Sequence, residues 1–166
     1  MFKKILITLI TYLFLTINVF GAGSSSGGDG GSTKIKTNFE KAVAHIEIAK
    51  KFEKKGKLEK AKKRYAKAQK FLIKSNKKKP NKADTLNYLG FTTRKLGDFK
   101  NGEKYYLQGL AIDPSHIGIN EYLGELYVVT GRIDLAKERL QVLANCNCKE
   151  YSKLKEIISG TKKSKY

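Results

Sequence analysis

Cys146 and Cys148, separated only by Asn147, are the residues best suited by type and spacing to do chemistry. Two thiols so placed have three readings. A local disulfide closes a very small loop, with little entropic gain and some strain. A strained pair is redox-labile or a partial soft-metal site, although two thiolates do not complete one. The third reading is free or intermolecular thiols. His45 and His116 are the only histidines. Neither has a His, Cys or carboxylate partner at metal-ligand spacing, so both read as structural. There is no glycine-rich phosphate loop and no nucleophile elbow. The sequence therefore points to no catalytic residue, no metal and no cofactor, and the chain reads as a non-enzyme.

Charge is the next feature. The formal balance of +19 is unevenly distributed. Residues 34–82 carry 19 basic side chains against four acidic ones (+15), residues 83–148 balance at −1, and residues 149–166 add +4. Such a basic segment suits an anionic surface or an acidic partner. Only Arg64, Arg94, Arg132 and Arg139 are arginines, and Arg is the side chain preferred for bidentate phosphate and base contacts. Nucleic acid is therefore not expected as a partner.

The elements that position these residues begin after a distinct leader. Lys3 and Lys4 precede an apolar run from Ile5 to Phe20, which is followed by Gly21, Ala22 and Gly23. That layout predicts a signal peptide over residues 1–22 and export to the periplasm or the extracellular space; if the segment stayed uncleaved it would anchor the chain. Residues 23–33 (GSSSGGDGGST) read as a Gly/Ser linker.

An internal repeat organises the remainder. Tyr88-Leu89-Gly90 recurs as Tyr122-Leu123-Gly124, Gly97 as Gly131, and Gly102 as Ala136, each 34 residues on. Small residues allow two helices to approach closely, and Gly97 and Gly131 fall where a left-handed residue ends a first helix. Asp98 and Asp134 lie where a carboxylate favours the start of the second, and Pro114 closes it. Placing Gly56 over Gly97 exposes a fainter copy upstream: Ala49, Phe52, Leu58, Ala61, Tyr65 and Ala68 fall at matching positions. Pro80 then arrives seven residues later than Pro114 would imply, which predicts a second helix from Leu58 to about Asn76, longer by two turns. Phe71, Leu72 and Ile73 on that extension need cover from the next helix or from the segment around Ile35 and Phe39. Tyr151, Leu154, Ile157 and Ile158 share one face of a short closing helix.

The set Leu86, Leu89, Gly90, Gly102, Tyr106, Gly109 and Pro114, repeated as Leu123, Gly124, Tyr127, Ala136 and Leu140, resembles the tetratricopeptide (TPR) consensus. The resemblance implies an all-α helical-repeat solenoid of three helix–turn–helix units plus a C-terminal capping helix. The expected boundaries are 34–82, 83–116, 117–148 and 149–160, with a basic tail at 161–166. It departs from the consensus in Gly102 and Gly109 within one helix, in Cys148 where Pro is usual, and in the extended first unit. TPR domains bind through the concave face lined by the first helix of each unit. By that resemblance the partner-binding candidates are Asn87, Phe91, Arg94, Lys95, Glu121, Glu125 and Val128, with Lys50, Glu53, Lys54 and Val129 beside them. The Lys/Asn/Arg constellation that clamps a terminal carboxylate in some TPR domains is not reproduced, because Gly118, Glu121 and Glu125 occupy the third unit. The expected function is an exported, non-catalytic scaffold for an unidentified protein or peptide. The alternatives are a thiol-redox or metal-handling accessory acting through Cys146 and Cys148, and a protein that holds an anionic surface through its basic segment.

Overall fold

In a computed structural model, residues 36–164 are described and form helices with no strand among them. The predicted signal peptide and the whole of the predicted linker lie outside the described residues. The helices are α1 (Asn38–Lys54), α2 (Leu58–Lys78), α3 (Ala83–Lys95), α4 (Phe99–Ile112), α5 (Ile117–Val129), α6 (Ile133–Val142) and α7 (Lys149–Ile158). The all-α helical-repeat expectation is met.

The period is visible in the helix starts. α5 begins 34 residues after α3, and α6 begins 34 residues after α4, whereas α2 begins 41 residues before α4. The difference is the two extra turns of α2, which has 21 residues against the 14 of α4. α1 packs on α2, α3 on α4 and α5 on α6; α7 lies against α5 and α6. The turns are set by residues that the sequence marks. Gly97 and Gly131 take φ of +96° and +76° just past α3 and α5, a conformation that costs other residues more than glycine. Asp98 caps α4, its carboxylate accepting the Asn101 N–H at 3.0 Å. Asp134 instead sits in the first turn of α6 and pairs with Lys137. Two further caps add to the sequence reading: Thr37 and Glu40 form a capping box on α1, which the Thr-x-x-Glu spacing does signal, and the His116 Nδ1 accepts the Ile119 N–H at 3.2 Å to start α5.

Two apolar clusters fill the interior. One joins Ile46, Tyr65, Leu72, Leu89 and Phe91 from α1 to α3; the other joins Tyr106, Ile119, Leu123, Leu126 and Ala136 from α4 to α6. Tyr122 packs against both. On the α2 extension Leu72 is fully buried and Phe71 stacks on His45 of α1 at 5.6 Å, but Ile73 stays half exposed. Cover for the extension therefore comes from α1, and it reaches two of the three residues that needed it.

The small residues sit at close crossings, with one difference from the sequence reading. A Cβ on Gly90 would fall 2.5 Å from the Tyr106 ring of α4, so this pair sets the α3–α4 approach. A Cβ on Gly124 would meet Leu154 of α7 at 2.6 Å, not a side chain of α6. Gly124 thus seats the last helix. The Cys146–Cys148 disulfide lies in the turn into α7, with Cys148 as its N-cap and Asn147 at φ +46°. Gly90→Ala should lower stability by about 1–3 kcal/mol by overpacking the α3–α4 crossing, and thermal unfolding will show it. Gly56→Ala, with open space around its Cβ, should lose only about 1 kcal/mol through its left-handed backbone.

Candidate functional site

The first helices α1, α3 and α5, together with α7, enclose a cleft of about 390 Å³. Its wall includes Lys50, Glu53 and Lys54 of α1, Leu58 of α2, Phe91 and Lys95 of α3, Tyr122 and Glu125 of α5, and Lys153 and Ile157 of α7, with Lys162 and Lys163 beyond it. Phe91 and Tyr122 form the floor, their ring centroids 5.0 Å apart. The Lys50 ammonium stands over the Phe91 ring at 5.5 Å and that of Lys153 over Tyr122 at 5.4 Å. Glu53 holds one side together by accepting the Tyr65 hydroxyl and pairing with Lys95, each at 2.8 Å. Six lysines face two glutamates, so the cleft is cationic over an aromatic base.

A chain of charges runs from the interior up to the cleft wall, buried except at Lys153. Arg94 of α3 is fully buried; its Nη2 donates to the Glu125 Oε2 at 3.2 Å and its Nη1 to the Tyr122 carbonyl oxygen at 2.7 Å. The guanidinium lies between the Tyr106 and Tyr122 rings, 5.9 and 5.7 Å from their centroids. Glu125 also faces the Lys153 ammonium at 2.7 Å, and Lys153 donates to Glu121 as well. Arg94, Glu125, Lys153 and Glu121 thus alternate in sign across α3, α5 and α7. Burial raises the Glu121 pKa, and the hydrogen bond and charge of Lys153 only partly oppose it. Burial works against the Lys153 ammonium, but the charge of Glu125 and the hydrogen bonds to Glu121 and Glu125 outweigh it, so that pKa is raised.

This chain corrects the expected groove. Asn87, Phe91, Arg94, Glu121 and Glu125 are all buried, and the Lys95 side chain is 5% exposed. Val128 is half-buried against the second apolar cluster. Phe91, Lys95 and Glu125 do line the cleft with Lys50, Glu53 and Lys54; Asn87, Arg94, Glu121 and Val128 do not. The physical reason is that polar residues on the inner face of a first helix meet the next first helix before they meet a partner. Asn87 shows it at the α3–α5 contact, where its amide would lie 2.8 Å from a Cβ on Gly118. Sequence reasoning missed Tyr122, Lys153, Lys162 and Lys163. A usable signal existed for Lys153: Arg94–Glu125 and Glu121–Lys153 are opposite charges 31 and 32 residues apart, nearly one period, as charges on successive first helices would be.

The histidines have structural partners. The His116 Nε2 lies 3.2 Å from an Asp84 carboxylate oxygen, and the His45 Nδ1 lies 3.3 Å from the Arg64 guanidinium. Cys146 and Cys148 are both in the disulfide. No group of His, Cys, Asp and Glu able to hold a metal occurs among the described residues.

No family model and no curated protein matches the sequence. Among solved structures, the chain resembles the Yersinia enterocolitica type III secretion translocator chaperone SycD, with TM-score 0.52 at 14% identity over 71% of this chain and 81% of that one. It also resembles the first TPR of Spaghetti (RPAP3) bound to HSP90 peptide SRMEEVD, with TM-score 0.49 at 20% identity over 76% and 97%. A third is the Arabidopsis OM64 TPR domain, with TM-score 0.48 at 16% identity over 75% and 99%. The likeness to the translocator chaperone is one of fold, and it agrees with the 34-residue period and the paired helices: the architecture is a TPR-type helical repeat.

Arg94→Met should cost about 3–5 kcal/mol, because it leaves Glu125 buried without its arginine; denaturant unfolding measures this. Burial also raises the pKa of Tyr65, Tyr106 and Tyr122 from an ordinary 10.0. A raised folded-state pKa gives stability that is present below the unfolded value and lost as pH rises through the folded one. The chain should therefore hold its stability to about pH 10 and lose it above, in the window where Lys153 and these tyrosines titrate. Tyrosinate absorbance and helicity should change together in an alkaline titration.

Proposed function

We propose that this chain is an exported, non-catalytic scaffold whose cationic cleft docks an acidic, extended segment of a partner protein. The observation that carries the reading is the cleft wall: six lysines and two glutamates around a Phe91–Tyr122 floor. Ammonium groups on an open rim attract carboxylates and raise the on-rate, while a partly buried aromatic base gives apolar side chains somewhere to rest. The cleft is too shallow in polar convergence for a small metabolite, since its inner carboxylates already have cations. The residues of ordinary catalytic type support the same view, because His45, His116, Cys146 and Cys148 are held in caps, stacks and the disulfide.

Export rests on the sequence: Lys3 and Lys4, the apolar run Ile5–Phe20 and the small residues that follow. The disulfide supports it, because such bonds persist in oxidising compartments.

Lys54 and Lys163 lie on the rim and are exposed. Replacing either with Glu should weaken binding of a fluorescent glutamate-rich peptide about fivefold, the effect of roughly 1 kcal/mol for an exposed charge pair. The unfolding midpoint should stay unchanged. Anisotropy titration checks this, with a glutamine-substituted peptide as the reference. Equal affinity for the two peptides would overturn the reading.

A further inference from the structure

The outer face of α2 carries a second charged surface, separate from the cleft. Lys60, Lys63, Lys67, Lys70, Lys74 and Lys77 follow one another at spacings of three or four residues, and all are exposed. On a helix that spacing keeps them within an arc of about 100° and extends the row to roughly 25 Å. The arc lies opposite Ala61, Tyr65, Ala68 and Leu72, the buried face. None of the six lines the cleft.

Three features distinguish this row from an ordinary solvated face. Exposed helices usually mix signs, whereas here Glu59 is the only acid in 21 residues, and it pairs with Lys62 at 3.5 Å. Among the described residues no carboxylate pairs with any of the six. Lys63–Lys67 and Lys70–Lys74 are like charges one turn apart, an arrangement that works against the helix and that an anionic surface would relieve. The two added turns of α2 lengthen this row by Lys74 and Lys77, so the departure from the repeat period and the charge excess coincide.

We propose that the outer face of α2 adsorbs to an anionic lipid bilayer. Bilayer is favoured over a nucleic-acid polyanion on two grounds. The row is all lysine, a hydrated point charge suited to diffuse headgroup attraction, while the one arginine of the helix, Arg64, is turned to His45. The predicted signal segment, Ile5–Phe20, would bring the chain across a membrane during export, so a bilayer is a surface it meets. Half-exposed Ile73 borders the row and can rest at the headgroup boundary.

The test is vesicle co-sedimentation of the full chain, comparing phosphatidylcholine alone with phosphatidylcholine plus phosphatidylglycerol. The neutral vesicles measure what the apolar run contributes. The proposal expects added affinity for the anionic vesicles that falls as salt rises. Lys63, Lys67, Lys70 and Lys74 all changed to Gln should remove that increment by several hundredfold, about fivefold for each lysine. Binding to neutral vesicles and helicity should not change. A control set with the same charge loss elsewhere, Lys51, Lys100, Lys104 and Lys155 to Gln, should retain most of the increment. Equal loss in both sets would show that net charge alone is at work and overturn the assignment to α2. So would a preference of the full chain for heparin or single-stranded RNA with no anionic-vesicle increment.

Discussion

The structure depends on a chain of four alternating charges, three of which, Arg94, Glu125 and Glu121, are taken out of water. Arg94, Glu125, Lys153 and Glu121 link α3, α5 and α7, and removing Arg94, Glu125 or Lys153 leaves an opposite charge buried with a partner missing. Apolar packing brings the helices together, but these ions fix which face of each first helix turns inward. They also fix where α7 must lie. Leu154 fills the space above Gly124 while Lys153, one residue earlier, reaches the two carboxylates.

That constraint decides how the remaining charges can be used. Glu121, Glu125 and Arg94 neutralise one another and Lys153, so the cleft above them is cationic through Lys54 and Lys163, with Lys50 and Lys162 also on its wall but paired with Glu47 and Glu156. The lysines of α2 face away from the interior and meet neither group. The excess positive charge that marks the sequence is therefore divided between an inner rim and an outer row, and the two suit anionic partners of different shape.

Much of this was legible before the structure. Gly97, Gly131, Asp98 and the 34-residue offset mark turns and period because each reflects a local backbone requirement that one residue type meets. The two extra turns of α2 were readable from the late Pro80, since chain length between breaks is a local quantity too. The site was less legible. Asn87, Arg94, Glu121 and Glu125 are polar residues on the inner faces of first helices, and residue type alone does not separate a groove lining from a buried tie. Burial is decided by what the next helix brings, and only the near-period spacing of Glu121 and Lys153 pointed to that partner. Gly124 misled for the same reason: its small size was plain, but its neighbour was Leu154 and not a residue of its own pair.

A double-mutant cycle on Arg94 and Lys153 is the most direct measure of the central constraint, using Arg94→Met, Lys153→Met and the pair in denaturant unfolding. Both cations face Glu125, from different helices. A connected charge chain predicts non-additive losses, with a coupling of about 1–3 kcal/mol through the shared carboxylate. Losses that add to within about 0.5 kcal/mol would contradict it, showing two independent contacts and leaving apolar packing alone to place α7.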